Sequence, residues 1–198
     1  GGMFVREKVI KAILDSGENF MSGEQLSKKL GISRTAVWKH INALREEGYN
    51  IESVNKKGYR LAEKPDDILS SENIAYNLPT EFIGKKVIHL DTVGSTNDYA
   101  KEIGNKVSGG TLIISEQQTK GKGRLGRVWK SKSGDGIWMS LIIKPKIEPY
   151  KAPFLTLVAG ASVVKALSNL DVEASIKWPN DIIVHNKKIC GILTELSA

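Results

Sequence analysis

Cysteine is almost missing from this 198-residue chain. The single Cys190 rules out an intramolecular disulfide and any cysteine-cluster zinc site. Histidine is nearly as scarce: His40, His89 and His185 lie far apart and match neither metal-ligand nor catalytic-triad spacing. No apolar run approaches the ~18–20 residues that a bilayer span requires. No long polar tract signals wholesale disorder. A signal peptide is missing too, because Gly1-Gly2-Met3 reads as an expression remnant before a native methionine. These absences predict a soluble, cytoplasmic protein with no membrane partner. The length is too great for one small module and suits one large domain or two modest ones.

What is present is positive charge, and it is clustered. The formal net charge is +7, and residues 1–64 hold 12 Lys/Arg against 8 Asp/Glu. A second cluster, Lys120 to Lys132, has six basic residues and no acid. Two local concentrations point to polyanionic partners such as DNA phosphates or a nucleotide.

Residues 1–64 read as a winged helix-turn-helix. Met3 to Leu14 places Val5, Val9 and Ile13 at i, i+4 spacing, the mark of an amphipathic helix. Ser22 with Gln25 three residues on forms a capping box for a short helix that ends at Leu30-Gly31. Ser33 caps a third helix with Val37, Ile41 and Leu44 on one face. Two short helices joined by so tight a turn define a helix-turn-helix. From Tyr49 to Leu61 a hairpin follows, with Lys56 and Lys57 at its tip. Arg34, Thr35, Trp38 and Lys39 near the start of the third helix are placed to reach bases and phosphates in a major groove. The wing lysines would meet the DNA backbone. Ordinary exposed polar residues give the same pattern, some winged helices bind protein, and Trp38 also fits a core anchor.

The only polar, proline-containing linker, Ala62 to Asp67, sets the expected boundary near residue 64. Residues 65–198 then mix helices and strands without βαβ alternation, which predicts the α+β class. The expected elements are a short helix from Ser70, a strand from Lys86 to Leu90, and a helix capped by Ser95 or Thr96. A strand from Thr111 to Glu116, a Gly/basic loop from Gln117 to Lys132 and a strand from Gly136 to Lys144 come next. A long apolar helix within Pro149–Leu170 and three strands around Ser175, Ile183 and Ile192 complete the list.

The loop segment Gly121-Lys122-Gly123-Arg124-Leu125-Gly126 matches GxGxxG, a weak signal alone. A Rossmann turn would open a helix here, but the residues that follow are too basic and glycine-rich. The kinase pattern extends through Val128, yet no HRD, DFG or Walker motif exists. What remains is a flexible loop whose Lys122, Arg124 and Arg127 surround a phosphate or carboxylate. Its glycines and like charges predict mobility without a ligand and order with one. Gly94-Ser95-Thr96-Asn97 offers polar groups at a helix start, although a plain N-cap looks the same. Lys177-Trp178-Pro179-Asn180-Asp181 combines a lysine, a tryptophan of the buried type, a rigid proline and two polar residues. Lys188 leads an apolar strand, where a snorkelling surface lysine is the plainer reading, and Cys190 reads as a small hydrophobe.

The segments GSTN (94–97), EQQTKGKGRLGRVW (116–129), KWPND (177–181) and KKICGIL (187–193), in this order behind a winged helix, closely resemble the bifunctional biotin–protein ligase and biotin operon repressor family. The resemblance implies a mixed-sheet, class II synthetase-like domain. It implies ATP-dependent activation of biotin to biotinoyl-5′-AMP, with Mg²⁺ as activator, then transfer to a lysine of a biotin carboxyl-carrier protein. It also implies homodimerisation with the adenylate bound, and repression at operator DNA. Carried over by motif, Ser95, Thr96 and Gln118 hold the biotin ureido ring and carboxyl region. Gly121, Lys122 and Arg124 close over biotin and phosphate, supported by Arg127. Trp129 packs near adenine, Lys188 contacts the reacting carboxylate and α-phosphate, and Gly191 lines the biotin pocket. Lys177 contacts phosphate, and Asn180 and Asp181 organise phosphate or Mg²⁺. Lys188, Arg124 and Lys177 form the expected catalytic set.

Two departures stand out. Lys122 occupies a position usually held by arginine, keeping the charge but losing bidentate anion binding. Family members also continue beyond the position of Ala198 with more sheet and a C-terminal β-barrel, so the ligase domain is expected to be incomplete. A biotin-responsive repressor without catalysis, and a lipoyl- or acyl-protein ligase, are the alternative functions.

Overall fold

The structure is a computed structural model that describes residues 5–63 and 68–197. It divides into two compact units, Gly1–His89 and Leu90–Ala198. The boundary expected near residue 64, most of its linker and the Gly1-Gly2-Met3 start lie outside the described residues. Tyr49 and Ser70 share a 2.6 Å hydroxyl hydrogen bond, and Ile68 packs against the core of the first unit.

The first unit begins with α1 (Val5–Asp15), α2 (Gly23–Leu30) and α3 (Arg34–Glu46). The capping box is present: Ser22 Oγ accepts from Gln25 N, and the Gln25 side chain accepts from Ser22 N at 2.7 Å. Gly31 closes α2 at φ 67°, a left-handed position that glycine fills without strain. Ser33 caps α3 in turn. Val9, Ile13, Leu26, Val37 and Ile41 are wholly buried and form one core. Strands β1 (Ile51–Val54) and β2 (Gly58–Leu61) pair antiparallel as the wing, in the register Val54 opposite Gly58. Arg45 donates to the carbonyl of Ile51 from Nε at 3.0 Å and from Nη2 at 2.8 Å, tying the wing to α3. Helix α4 (Ser71–Asn77) follows, capped by Ser70.

The second unit opens within β3 (Val87–Val93), which runs three residues past the expected end at Leu90. The extension is explained by pairing, since Thr119 N donates to the Val93 carbonyl at 2.9 Å. Only Gly94-Ser95 remains as the turn into α5 (Thr96–Ile103). β4 (Leu112–Gln118) lies between β3 and β5 (Trp138–Leu141) and pairs with β5 antiparallel. The strand expected over 136–144 is therefore only four residues long. Helix α6 (Ala152–Ser168) follows a 3-10 turn at Pro149–Lys151. β6 (Ser175–Lys177), β7 (Asp181–Val184) and β8 (Lys187–Gly191) form a second antiparallel sheet. Gly160 of α6 lies against Ile176 and Ile182 of that sheet.

Two expectations need correction. Residues Pro149–Ser168 form a 20-residue helical stretch with mean hydropathy 1.2, long and apolar enough to span a bilayer by those measures alone. Most of that helix is exposed or half-buried, with Ala152 and Gly160 its buried residues. Trp178, expected to be buried, is 78% exposed, because the turn joining β6 to β7 carries it outward.

Candidate functional site

In the first unit, helix α3 separates two faces. Val37, Ile41 and Leu44 point into the core, while Arg34, Thr35, Trp38 and Lys39 are all exposed. Trp38, at 55% exposure, is not a core anchor. On the wing, Lys56 and Lys57 are exposed at the tip as expected. Phe20, unremarked in the sequence, organises this edge: Lys57 Nζ lies 5.8 Å and the Arg60 guanidinium 4.6 Å from its ring centroid. Arg60 also pairs with Glu52 at 2.7 Å. The result is a row of cations beside an exposed helix face, suited to a polyanion.

In the second unit, the residues picked from four separate motifs converge. Ser95 and Thr96 are buried at the start of α5, and Ser95 Oγ accepts from Asp98 N, so its observed role is an N-cap. Gln118, at the end of β4, accepts through Oε1 from Thr96 N at 2.8 Å and from Thr96 Oγ1 at 3.1 Å. Its Nε2 donates to Ser131 Oγ at 2.9 Å. Ser140 on β5 reaches Thr96 Oγ1 at 2.8 Å and Asn97 Oδ1 at 2.5 Å. Ser131 and Ser140 carried no motif signal, being ordinary serines until the chain folds.

The basic loop doubles back on itself above this network. Trp129 N donates to the Gly121 carbonyl at 2.8 Å, and Gly123 N to the Arg127 carbonyl at 2.7 Å. Gly121 is buried, and a Cβ there would collide with the Trp129 carbonyl and approach Ser131 Oγ to 2.7 Å. Close approach, rather than freedom, explains that glycine. The loop also has an acid partner that sequence proximity did not reveal: Lys122 Nζ sits 2.6 Å from Asp98 of α5. Gln118, Gly121, Trp129 and Ser131 line an open cleft of about 350 Å³. A second cleft of about 320 Å³, by Val164, Asp171 and Glu173, holds none of the residues chosen from motifs.

The turn into β7 supplies the remaining partners. Asn180 accepts from Arg124 Nη1 at 3.2 Å, and its Nδ2 donates to the Ile192 carbonyl at 3.0 Å. Its neighbour Asp181 lies 2.7 Å from Lys188 Nζ, although Asp181 Oδ1 has no hydrogen bond of proper geometry. The Lys188 ammonium also stands 4.7 Å from the Trp129 ring centroid, a cation–π distance. Gly191 lies beneath both, since a Cβ there would come within 3.0 Å of Lys188 Nζ and 3.7 Å of the Trp129 ring. Lys188, read most plainly as a snorkelling residue, is instead held by a carboxylate and an indole. Lys177 is exposed on β6 opposite Asp181, and Arg127 is exposed on the loop. Burial pushes the Cys190 thiol up against the opposing pull of Lys188, which suits an inert packing residue. Among the described residues, no three His, Cys, Asp or Glu side chains converge as a metal centre.

Together these features define a helix-turn-helix module joined in sequence to an α+β domain in which Lys188 stands beside the Trp129 ring and Arg124 beside Asn180. Residues 5–60 match the HTH domain model, and residues 90–198 match the biotin/lipoate A/B protein ligase family. The chain belongs to that family. It is 46% identical over 196 residues to the bifunctional ligase/repressor BirA of Bacillus subtilis (strain 168), covering 98% of this chain and 60% of the relative. The Escherichia coli (strain K12) protein of the same name is 37% identical over 187 residues, covering 94% and 56%. Among solved structures, biotin protein ligase from Aquifex aeolicus in complex with biotin and ATP gives a TM-score of 0.52 at 43% identity. That match covers 57% of this chain and 47% of the other. The chain thus spans about 60% of the length of the Bacillus subtilis relative.

Proposed function

We propose that this chain binds operator DNA through residues 1–64, and that residues 65–198 belong to an ATP-dependent biotin–[carboxyl-carrier protein] ligase. The observation that carries the ligase reading is the pairing of neighbours: Asn180 engages Arg124 while Asp181 engages Lys188. Two adjacent residues therefore engage cations from different segments, one of which, Lys188, also faces the Trp129 ring. In the proposed reaction the biotin carboxylate attacks the α-phosphorus of ATP, forming biotinoyl-5′-AMP and releasing pyrophosphate. The carrier lysine amine then attacks the acyl carbonyl, forming the amide and releasing AMP. Two anions must approach in the first step, so fixed cations are what the chemistry needs.

Lys188 and Arg124 offset the carboxylate and α-phosphate charge, and Lys177 meets the departing phosphates. Ser95, Thr96, Gln118 and Gly191 form the biotin pocket, with Lys122 and Gly121 in the covering loop. Trp129 stacks adenine, Arg127 supports the loop, and Asn180 and Asp181 orient the cations. Mg²⁺ would enter with the ATP phosphates and offset their charge, with Asn180 and Asp181 as the residues beside it. The homodimer with adenylate bound and a cytoplasmic location, where operator and carrier reside, complete the proposal.

Calorimetric titration with biotin and with a non-hydrolysable biotinoyl-AMP analogue tests the ligand half. The analogue should bind more tightly, and Lys188→Ala should weaken it more than biotin. Equal losses for both ligands would remove the phosphate role of Lys188, and no binding of either would refute the ligase reading.

A further inference from the structure

Gln118 ends in a carboxamide whose two ends are nearly the same size, so only hydrogen bonds decide which end faces a ligand. Its oxygen end is fixed by the backbone. Thr96 N–H donates to Oε1 at 2.8 Å, and a backbone N–H can only donate. A second donor, Thr96 Oγ1 at 3.1 Å, fills the remaining capacity of that oxygen. The nitrogen end is fixed by one hydroxyl, that of Ser131 at 2.9 Å.

Ser131 suits this task because it is itself immobilised. It is 4% exposed, its carbonyl accepts from Gln118 N at 3.0 Å, and its Oγ donates to the Trp129 carbonyl at 3.3 Å. With its hydrogen directed at that carbonyl, the hydroxyl offers Gln118 a lone pair, which an amide N–H wants and an amide oxygen does not. Oε1 is saturated and one Nε2 hydrogen is engaged, which leaves the second Nε2 hydrogen to donate. Gln118 and Ser131 both line the 350 Å³ cleft.

We propose that Ser131 is a positioning residue for ligand selection: it holds Gln118 so that the carboxamide presents an N–H to a carbonyl oxygen of the bound ligand. Resting on the biotin reading above, this assigns the Gln118 donor to the ureido carbonyl. The pocket then discriminates at that atom, favouring a C=O over a group that is itself a donor.

Biotin and 2-iminobiotin differ there, the analogue carrying an N–H-bearing group in place of the oxygen. Calorimetry on the full chain should give a preference for biotin that narrows about tenfold in Ser131→Ala, because Oε1 stays held by Thr96 while the unanchored Nε2 end swings about it and its remaining N–H loses its aim at the carbonyl. A merely structural defect weakens both ligands equally and leaves the ratio unchanged, and that result would overturn the proposal. Ser131→Cys, close in size but a poor acceptor, should narrow the ratio as well and serves if the alanine variant does not fold. Exchange of the Gln118 side-chain amide protons, followed by NMR without ligand, separates this inference from the one it rests on. Protection in the unsubstituted chain that is lost in Ser131→Ala supports the positioning role, whereas fast exchange in both overturns it. Failure of the unsubstituted chain to bind biotin, with that protection intact, overturns the choice of ligand but leaves the positioning.

Discussion

Alanine at Gly121, Gly123 and Gly126 should have three different effects, although the three glycines lie within six residues of one loop. Gly121 is the severe case. Its added Cβ meets the Trp129 carbonyl, Ser131 Oγ at 2.7 Å and Gln118 Nε2 at 3.3 Å. Ordinary carbon contacts lie near ~3.5 Å, so the two arms of the loop must part by on the order of 1 Å. The 2.8 Å bond from Trp129 N to the Gly121 carbonyl then passes out of hydrogen-bond range. The 3.0 Å bond from Gln118 N to the Ser131 carbonyl is strained with it. Each bond lost costs roughly 0.5–1.5 kcal/mol, and alanine returns only about 0.4–1 kcal/mol through the unfolded chain. The net local loss is about 1 kcal/mol and at most roughly 2.5 kcal/mol, a rise in opening of about 5- to 70-fold.

The other two positions are internal controls. At Gly123 the backbone is extended, with φ −108° and ψ −178°, and a Cβ meets only Arg127 atoms at 3.5 Å and beyond. Alanine there should leave the loop closed and raise stability by about 0.4–1 kcal/mol. At Gly126 nothing lies within 4 Å, but φ is 71°, where a side chain costs roughly 1–2 kcal/mol. Amide hydrogen exchange at Trp129, measured for all three variants, reads the local opening directly. Equal exchange at Trp129 in the Gly121→Ala and Gly123→Ala proteins would refute the close-approach argument.

Replacing Lys56 and Lys57 by alanine should lower the log–log salt slope of DNA binding by about two units; an unchanged slope removes the wing from the interface. Trp38→Ala should weaken DNA binding while leaving unfolding stability within ~0.5 kcal/mol, because the ring is 55% exposed. A large stability loss on denaturant titration would contradict its placement outside the core. Burial raises Glu195, but hydrogen bonds from Lys101 and Asn97 outweigh it and hold the carboxyl below its ordinary value. A carboxyl depressed in the folded state contributes stability that is present at neutral pH and lost as pH falls through its folded value. Stability measured by denaturant titration should therefore fall as the pH drops through that folded value, and Glu195→Gln should flatten the dependence; a parallel acid response in both proteins would sink the assignment.

The helix-turn-helix was legible because its determinants are local. The capping box joins residues three apart, and the apolar face of α3 repeats within one helix. The motif residues of the second unit were legible as residue types, but their partners were not. Asp98 is 24 positions from Lys122, Ser131 is 13 from Gln118, and Ser140 is 44 from Thr96. Nothing about an isolated serine or aspartate announces such a pairing until β3, β4 and β5 align. Trp178 misled for the opposite reason. Its type favours burial, and its exposure was set by the turn that carries it rather than by its own chemistry.

On the proposed reading, the partners found for the basic segments also explain how such a site can exist before an anion arrives. Lys122 rests on Asp98, Lys188 on Asp181, and Arg124 on the neutral Asn180. Asp98 limits the self-repulsion that six cations between Lys120 and Lys132 would otherwise impose on a loop with no acid of its own. The Lys122–Asp98 pair is half-exposed, with side chains 47% and 43% exposed; the Lys188–Asp181 pair is 38% and 23% exposed, and its Asp181 oxygen is buried. Exposed pairs like the first contribute only about 0–1 kcal/mol. A phosphate, with more charge and several acceptor oxygens, can displace them at small cost and engage cations already gathered in place. Deep burial of the same pairs would have made the site rigid and hard to open. Leaving the cations without partners would have driven the loop away from the cleft. Half-exposed partners meet both demands, and they account for placing Asp98 at the first turn of α5 and Asp181 at the start of β7.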